Sequence, residues 1–262
     1  MNELVRQFLQ EDAHYESVLI LNEQSLKNWG EVEKKAPNLP RGWFELSQLS
    51  TEDRVGFTRD FWLNRLPFHP IAHTAINNFF YSLDDVGVVL SKSGTLWTPQ
   101  LIYSLSDNSC FFRGLIPATN DDLEELKEEL DFAFPSDFSS FMKIHNGFGK
   151  LSELELLTIE EIPDAKRHVM QMILTSERPV KSGETFVDAG SLVPFYEAIG
   201  LSSFQCFYAD WYATSEMGNV YFSGIDYTLS NTSQREAWNE NGAFATFLEW
   251  LAAYLEGMNI AP

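Results

Sequence analysis

Apolar positions near the start of the chain recur at helical spacing. Leu4, Val5, Phe8 and Leu9 form one stripe, and Val18, Leu19 and Leu21 continue it, so residues 1–30 are expected to be largely helical. A polar stretch with Pro37 and Pro40 follows as a connector. Ser50-Thr51-Glu52-Asp53 has the composition of a helix start, and Phe57, Phe61, Trp62 and Arg65 carry the period onward. Pro67 and Pro70 interrupt it before a second short helix to about Phe80. The period then changes. Val86 to Leu90, Leu96 to Leu105 and Cys110 to Ile116 are β-branched and aromatic runs separated by Ser-Gly and Asp-Asn turns, which predicts an antiparallel meander.

The stretch from Thr119 to Leu151 is the most explicit. Leu123, Leu126 and Leu130 share a helical stripe, acidic residues crowd the N-terminal side and the solvent face, and Thr119 with Asp122 reads as a capping box. Pro135 breaks this helix and suits the first turn of the next. Phe138, Phe141, Met142 and His145 fall at i, i+3, i+4 and i+7, and Asn146-Gly147 supplies a left-handed residue to end the second helix.

This order of acidic helix, proline, aromatic helix and Asn-Gly resembles the signature of the SUKH superfamily, the Smi/Knr cell-wall regulator family. Leu123, Leu130, Phe134-Pro135, Asp137-Phe138, Phe141, Asn146 and Gly147 carry the resemblance. Pro135, Phe138, Phe141, Asn146 and Gly147 are its structural motif residues. The downstream pattern extends it to about Met258. Val169, Met172 and Ile173 mark a helix, and Phe186-Val187 and Leu192 to Phe195 are short strands. Phe204 to Trp211 and Asn219 to Ile225 read as a hairpin, residues 228–242 as a polar loop or short exposed helix, and Phe244 to Leu255 as a closing helix stopped by Gly257. The expected fold is α+β: a SUKH-like, mixed but largely antiparallel sheet flanked by helices over 118–262, preceded by a smaller α+β unit over 1–117. That unit matches no motif and is either a second domain or an extension of the same sheet.

Composition narrows the function. With 44% hydrophobic and 14% aromatic residues the chain has ample material for packed cores, which excludes disorder. Residues 1–120 hold 14 acidic and 10 basic side chains, leaving 24 and 8 of the total 38 and 18 for 121–262. The net charge of −20 therefore divides as −4 and −16. Such a surface repels nucleic acid and anionic lipid and steers basic partners, although acidity also serves solubility. Cys110 and Cys206 are far apart and form no CxxC, so two buried thiols are expected. The N-terminus lacks the basic flank and apolar core of a signal peptide, and no segment approaches the ~18 apolar residues of a membrane span. A cytoplasmic location is expected.

Chemistry is sparsely signalled. His69 and His73 stand four apart, but Pro70 lies between them and no further ligand can be placed, so no metal is expected. His145 reads as a partly buried structural histidine. Phe148-Gly149-Lys150 lacks the first glycine and the Ser/Thr of a phosphate loop. Asp84-Asp85 and Asp121-Asp122 are adjacent pairs, which suit turns or helix starts. No cofactor and no catalytic residue are assigned. Among the aromatics Tyr208, Trp211, Tyr212, Tyr221 and Trp238, core packing is the ordinary role, but alternation would place Tyr208 and Asp210 on one strand face and Phe207 and Trp211 on the other.

The resemblance implies a non-enzymatic protein-binding module. Bacterial members resemble immunity proteins that occlude toxins, often nucleases, whereas yeast members suggest a scaffold or regulatory adaptor. The expected contacts are Glu124, Glu125 and Glu128 on the acidic helix and Tyr208 with Asp210 on the hairpin, facing a basic protein surface.

Overall fold

The computed structural model describes residues 1–12, 15–23, 28–106, 110–151, 155–177, 179–233 and 235–257. Along the chain run α1 (Glu3–Glu11), β1 (Ser17–Ile20), α2 (Trp29–Lys35), α3 (Arg41–Ser47), α4 (Thr51–Arg65), α5 (Pro70–Tyr81), β2 (Leu83–Ser93), β3 (Leu96–Leu105) and β4 (Phe111–Leu115). They are followed by α6 (Asn120–Leu130), α7 (Ser136–Met142), β5 (Phe148–Lys150), α8 (Ile162–Thr175), β6 (Lys181–Ser182) and β7 (Thr185–Phe186). The last are β8 (Leu192–Ala198), β9 (Ser203–Tyr208), β10 (Asn219–Ser223), β11 (Thr228–Leu229) and α9 (Phe247–Leu255). The fold is α+β with antiparallel strand pairing.

Strands β1 to β5 lie side by side in chain order, and β8 to β11 form a second run. Leu156 joins the two, bridging Phe148 of β5 on one side and Tyr196 of β8 on the other. The expected boundary at 117/118 falls between paired neighbours, since β4 and β5 are in register from Phe112↔Lys150 to Gly114↔Phe148. The main hydrophobic core likewise draws on both sides of it, from Leu21, Val32 and Trp62 to Phe195, Phe207 and Trp250.

Period-two alternation sorts each strand between two cores. Val86, Val88, Leu90, Leu101, Tyr103, Phe112, Val193, Phe195 and Phe207 face the main core under α2–α5, α7 and α9. Val89, Ile102 and Phe111 face Val5 and Leu9 of α1, and Leu192, Phe204, Cys206 and Val220 face Val169 of α8. Val18 and Leu19, expected on a helix, lie in β1 opposite Ser91 and Leu90. A short apolar run fits either period, and the backbone groups along the β2 edge take it as a strand.

Helix α4 begins at the expected cap, with Ser50 Oγ accepting from the Asp53 amide at 3.2 Å. Its inward face is Arg54, Thr58 and Trp62, not the phenylalanine stripe. The reason is an ion pair. Arg54 Nη2 donates to the two Asp85 carboxylate oxygens at 2.7 and 2.9 Å, and Nε donates to Oδ1 and to the Val86 carbonyl, both at 3.0 Å. Asp85 is thus a buried strand residue rather than part of a turn, and it also receives the Met1 amino group at 2.8 Å.

The motif segment folds largely as its pattern predicts. Both arms of the capping box form between Thr119 and Asp122, at 2.8 and 3.2 Å. Helix α6 stops at left-handed Asp131, ahead of Pro135, which caps α7. Helix α7 itself ends at Met142, and Gly147 (φ +94°) instead turns the chain into β5. Buried Asp137 ties this region to the C-terminal helix: its carboxylate accepts from the amides of Phe138 at 2.8 Å and Leu248 at 3.1 Å, spanning the first turns of α7 and α9. Residues 228–242, expected as a loop or a short exposed helix, begin with the edge strand β11 and go on to two single-turn 3-10 helices, Arg235–Ala237 and Asn239–Asn241.

Because Asp85 keeps one other cationic partner, Arg54→Ala is expected to cost about 3 kcal/mol, the lower end for breaking a buried pair. Urea denaturation with an unchanged midpoint would contradict this role.

Candidate functional site

One side of the main core is organised by a directional chain of hydrogen bonds that also forms the floor of a cleft. Leu115 carbonyl can only accept, so His145 Nδ1, 2.8 Å away, carries the proton. A neutral ring then leaves Nε2 as an acceptor, and the Tyr103 hydroxyl donates to it at 2.6 Å. Tyr103 oxygen in turn accepts from Trp62 Nε1–H at 3.1 Å. All three side chains are buried, and the phenol is pushed well above its ordinary pKa by desolvation. Burial lowers the His145 pKa from 6.5 to about 4, partly opposed by the bond to Leu115. Close approach is possible because the strand beneath carries Gly114: a Cβ there would meet the imidazole at 2.3 Å. Edge-on aromatic packing fixes Trp62 against Phe80, Phe141 and Phe148, with ring centroids 5.4–5.6 Å apart.

Above this floor lies a cleft of about 810 Å³, between α3, α4 and the chain on either side of α6 and α7. Trp62, Tyr103, His145 and Leu101 form its buried base. Trp43, Leu46, Leu49, Phe57 and Phe61 line its walls, and Glu45, Arg65, Asn120 and Lys143 are its more exposed polar lining. Phe57 is 61% exposed, Phe61 39% and Leu49 40%. The outward half of the α4 phenylalanine pattern therefore faces an opening. Sequence alone signals the helix but not this inversion of its face, which Arg54 and Asp85 impose.

Both His145 nitrogens are engaged, making it a fully buried structural residue rather than a partly buried one. His69 caps α5 and approaches Glu249 at 3.6 Å, and His73 Nδ1 accepts from the His69 amide at 3.3 Å. Among the described residues no group of three or more His, Cys, Asp or Glu is placed to hold a metal. Cys206 is buried and its thiol pushed up by burial, whereas Cys110 is half-buried, against the expectation of two buried thiols.

Glu124, Glu125 and Glu128 are exposed on α6 beside Asp121, Asp122 and Glu129, with Lys127 paired to Glu124 at 2.6 Å. The expected hairpin forms from β9 and β10, but its expected contact face requires correction. Tyr208 is 5% exposed and packs with Phe204, Cys206 and Val220, so it presents no binding face beside exposed Asp210. Strand β9 ends at Tyr208, alternation stops there, and Trp211 turns to pack on Trp238 at 5.0 Å in that same cluster. Tyr221 is also buried, and Tyr212 is exposed. Pro135, Phe138 and Phe141 are core residues. Asn146 joins the α7–β5 turn to the following loop, accepting from the Ile159 amide at 2.8 Å and donating to Glu160 at 3.0 Å.

Among known families, the SMI1 / KNR4 family (SUKH-1) matches residues 117–253, from just before α6 into α9. No curated protein matches the chain.

His145 makes stability pH-dependent. Its folded pKa lies below its ordinary 6.5, so its contribution is complete above about 6.5 and is lost as pH falls through about 4, on the order of 3 kcal/mol. Unfolding measured across this window in wild type and His145→Asn is expected to show a shallower pH slope in the variant. Parallel slopes would contradict the buried neutral imidazole.

Proposed function

This chain belongs to the SMI1 / KNR4 family (SUKH-1), and on that premise we propose that it is a non-enzymatic, cytoplasmic protein-binding module for a partner with a basic surface. The outer face of α6 carries this reading. From Asp121 to Asp131 it exposes carboxylates in succession, with Lys127 as its only cation, in the half of the chain that holds −16 of the −20 charges. The capping box and Leu126, buried in the main core, hold the helix so that these carboxylates remain outside. Such a surface accelerates encounter with a basic protein about 10 to 10³-fold and disfavours phosphate-rich partners.

In the finer form of the proposal, the chain is an immunity protein that covers the active site of a basic, nuclease-type toxin, with Glu124, Glu125 and Glu128 as steering contacts and Asp210 at a second exposed position. The other reading is a regulatory adaptor. It is favoured by residues 1–116, which lie outside the family match and contribute α3 and α4 to the cleft. A neighbouring gene for a large secreted toxin would support the first form, and a chromosomal context without one the second.

For the partner that co-purifies with the native protein, the Glu124→Lys, Glu125→Lys, Glu128→Lys variant is expected to associate about tenfold or more slowly at low salt. Its rate should also depend less on ionic strength. An unchanged association rate in stopped-flow mixing, with no salt dependence in wild type, would reject steering by α6.

A further inference from the structure

The cleft beneath α3 and α4 has a charge pattern opposite to that of the rest of the chain. Arg65 and Lys143 line it, and among the described residues neither has an ion-pair partner; the Arg65 guanidinium lies 5.5 Å from the Phe61 ring centroid. The only carboxylate among its lining residues is Glu45, whose charge is met by Arg41 at 3.1 Å. Asp121 and Asp122 are close along the chain, but Asp122 is held in the capping box by the Thr119 amide. A chain of net −20 thus keeps two uncompensated cations beside an apolar cavity. The cavity is within the range of about 300–1,000 Å³ typical of small-molecule sites, and like them it is mainly apolar with a few charged groups. Its three exposed large apolar side chains, Leu49, Phe57 and Phe61, are contiguous with a buried base.

We infer that this cleft binds a small amphipathic anion, with an aliphatic or aromatic body among Trp43, Leu49, Phe57 and Phe61 and a carboxylate-type head at Arg65 and Lys143. The body removes apolar wall from water, and the head supplies the negative charge that the rim lacks. Neither step is chemical: the Trp62–Tyr103–His145 chain closes the base with its N–H and O–H donors and both imidazole nitrogens engaged. The site is separate from the acidic face of α6 and stands or falls independently of partner binding.

Decanoate and decanol, used below micellar concentrations, separate the contributions of head and body. Calorimetry, with the change in intrinsic tryptophan fluorescence as a second readout, is expected to show saturable decanoate binding. Decanol should bind about tenfold or more weakly, the loss expected for one charged contact. Octanoate should bind less tightly than decanoate by about fourfold per methylene removed. The surface variant Arg65→Gln/Lys143→Gln should lose the preference for decanoate over decanol, and Phe57→Ser should weaken both ligands. Absence of saturable decanoate binding, equal affinity for the two ligands in wild type, or an unaltered preference in the double variant would overturn the proposal.

Discussion

The arrangement of the helical layer over the sheet depends on one buried requirement: the polar atoms of Trp62, Tyr103 and His145 must find partners without water. The solution is directional, from indole to phenol to imidazole to the Leu115 carbonyl, and each donor has a single acceptor. It places α4 on β3 and the turn after α7 on β4. Removing any member leaves a polar group unsatisfied in an apolar interior, which costs more than the bond itself contributes. Gly114 is the steric condition, because the imidazole lies against the strand backbone.

This chain also separates the fold's polar chemistry from its accessible surface. At the base of the cleft the titratable groups are saturated and shifted toward their neutral forms. Accessible charge lies elsewhere: carboxylates along α6, and cations beside the apolar walls of the cleft. The same buried order fixes the cleft, since Arg54 is drawn inward to Asp85 and its helix consequently turns Phe57 and Phe61 outward.

Elements with strong local codes were legible in advance: the Thr119 capping box, the Pro135 break, the meander from β2 to β4 and the amphipathic α8. Their determinants lie within a few residues of one another. The exposed glutamates of α6 were legible for the same reason. Less legible were β1, whose short apolar run fits two periods, and the surroundings of Tyr208, where alternation ceases at the strand end. The cleft was invisible in the sequence because its lining comes from residues 40–65, 101–103 and 117–145.

Sequence alone therefore determined the α+β class, the family motif with its core residues Pro135, Phe138 and Phe141, and the acidic helix, because local spacing and side-chain chemistry suffice for these. Only the tertiary structure decided that Arg54 is buried and Phe57 exposed, that Tyr208 is covered, and that residues on both sides of position 117 share one core and one succession of strands. Those outcomes depend on which distant group satisfies a buried charge or strand edge. Pairings such as Arg54 with Asp85 and Tyr103 with His145 have no expression in sequence spacing.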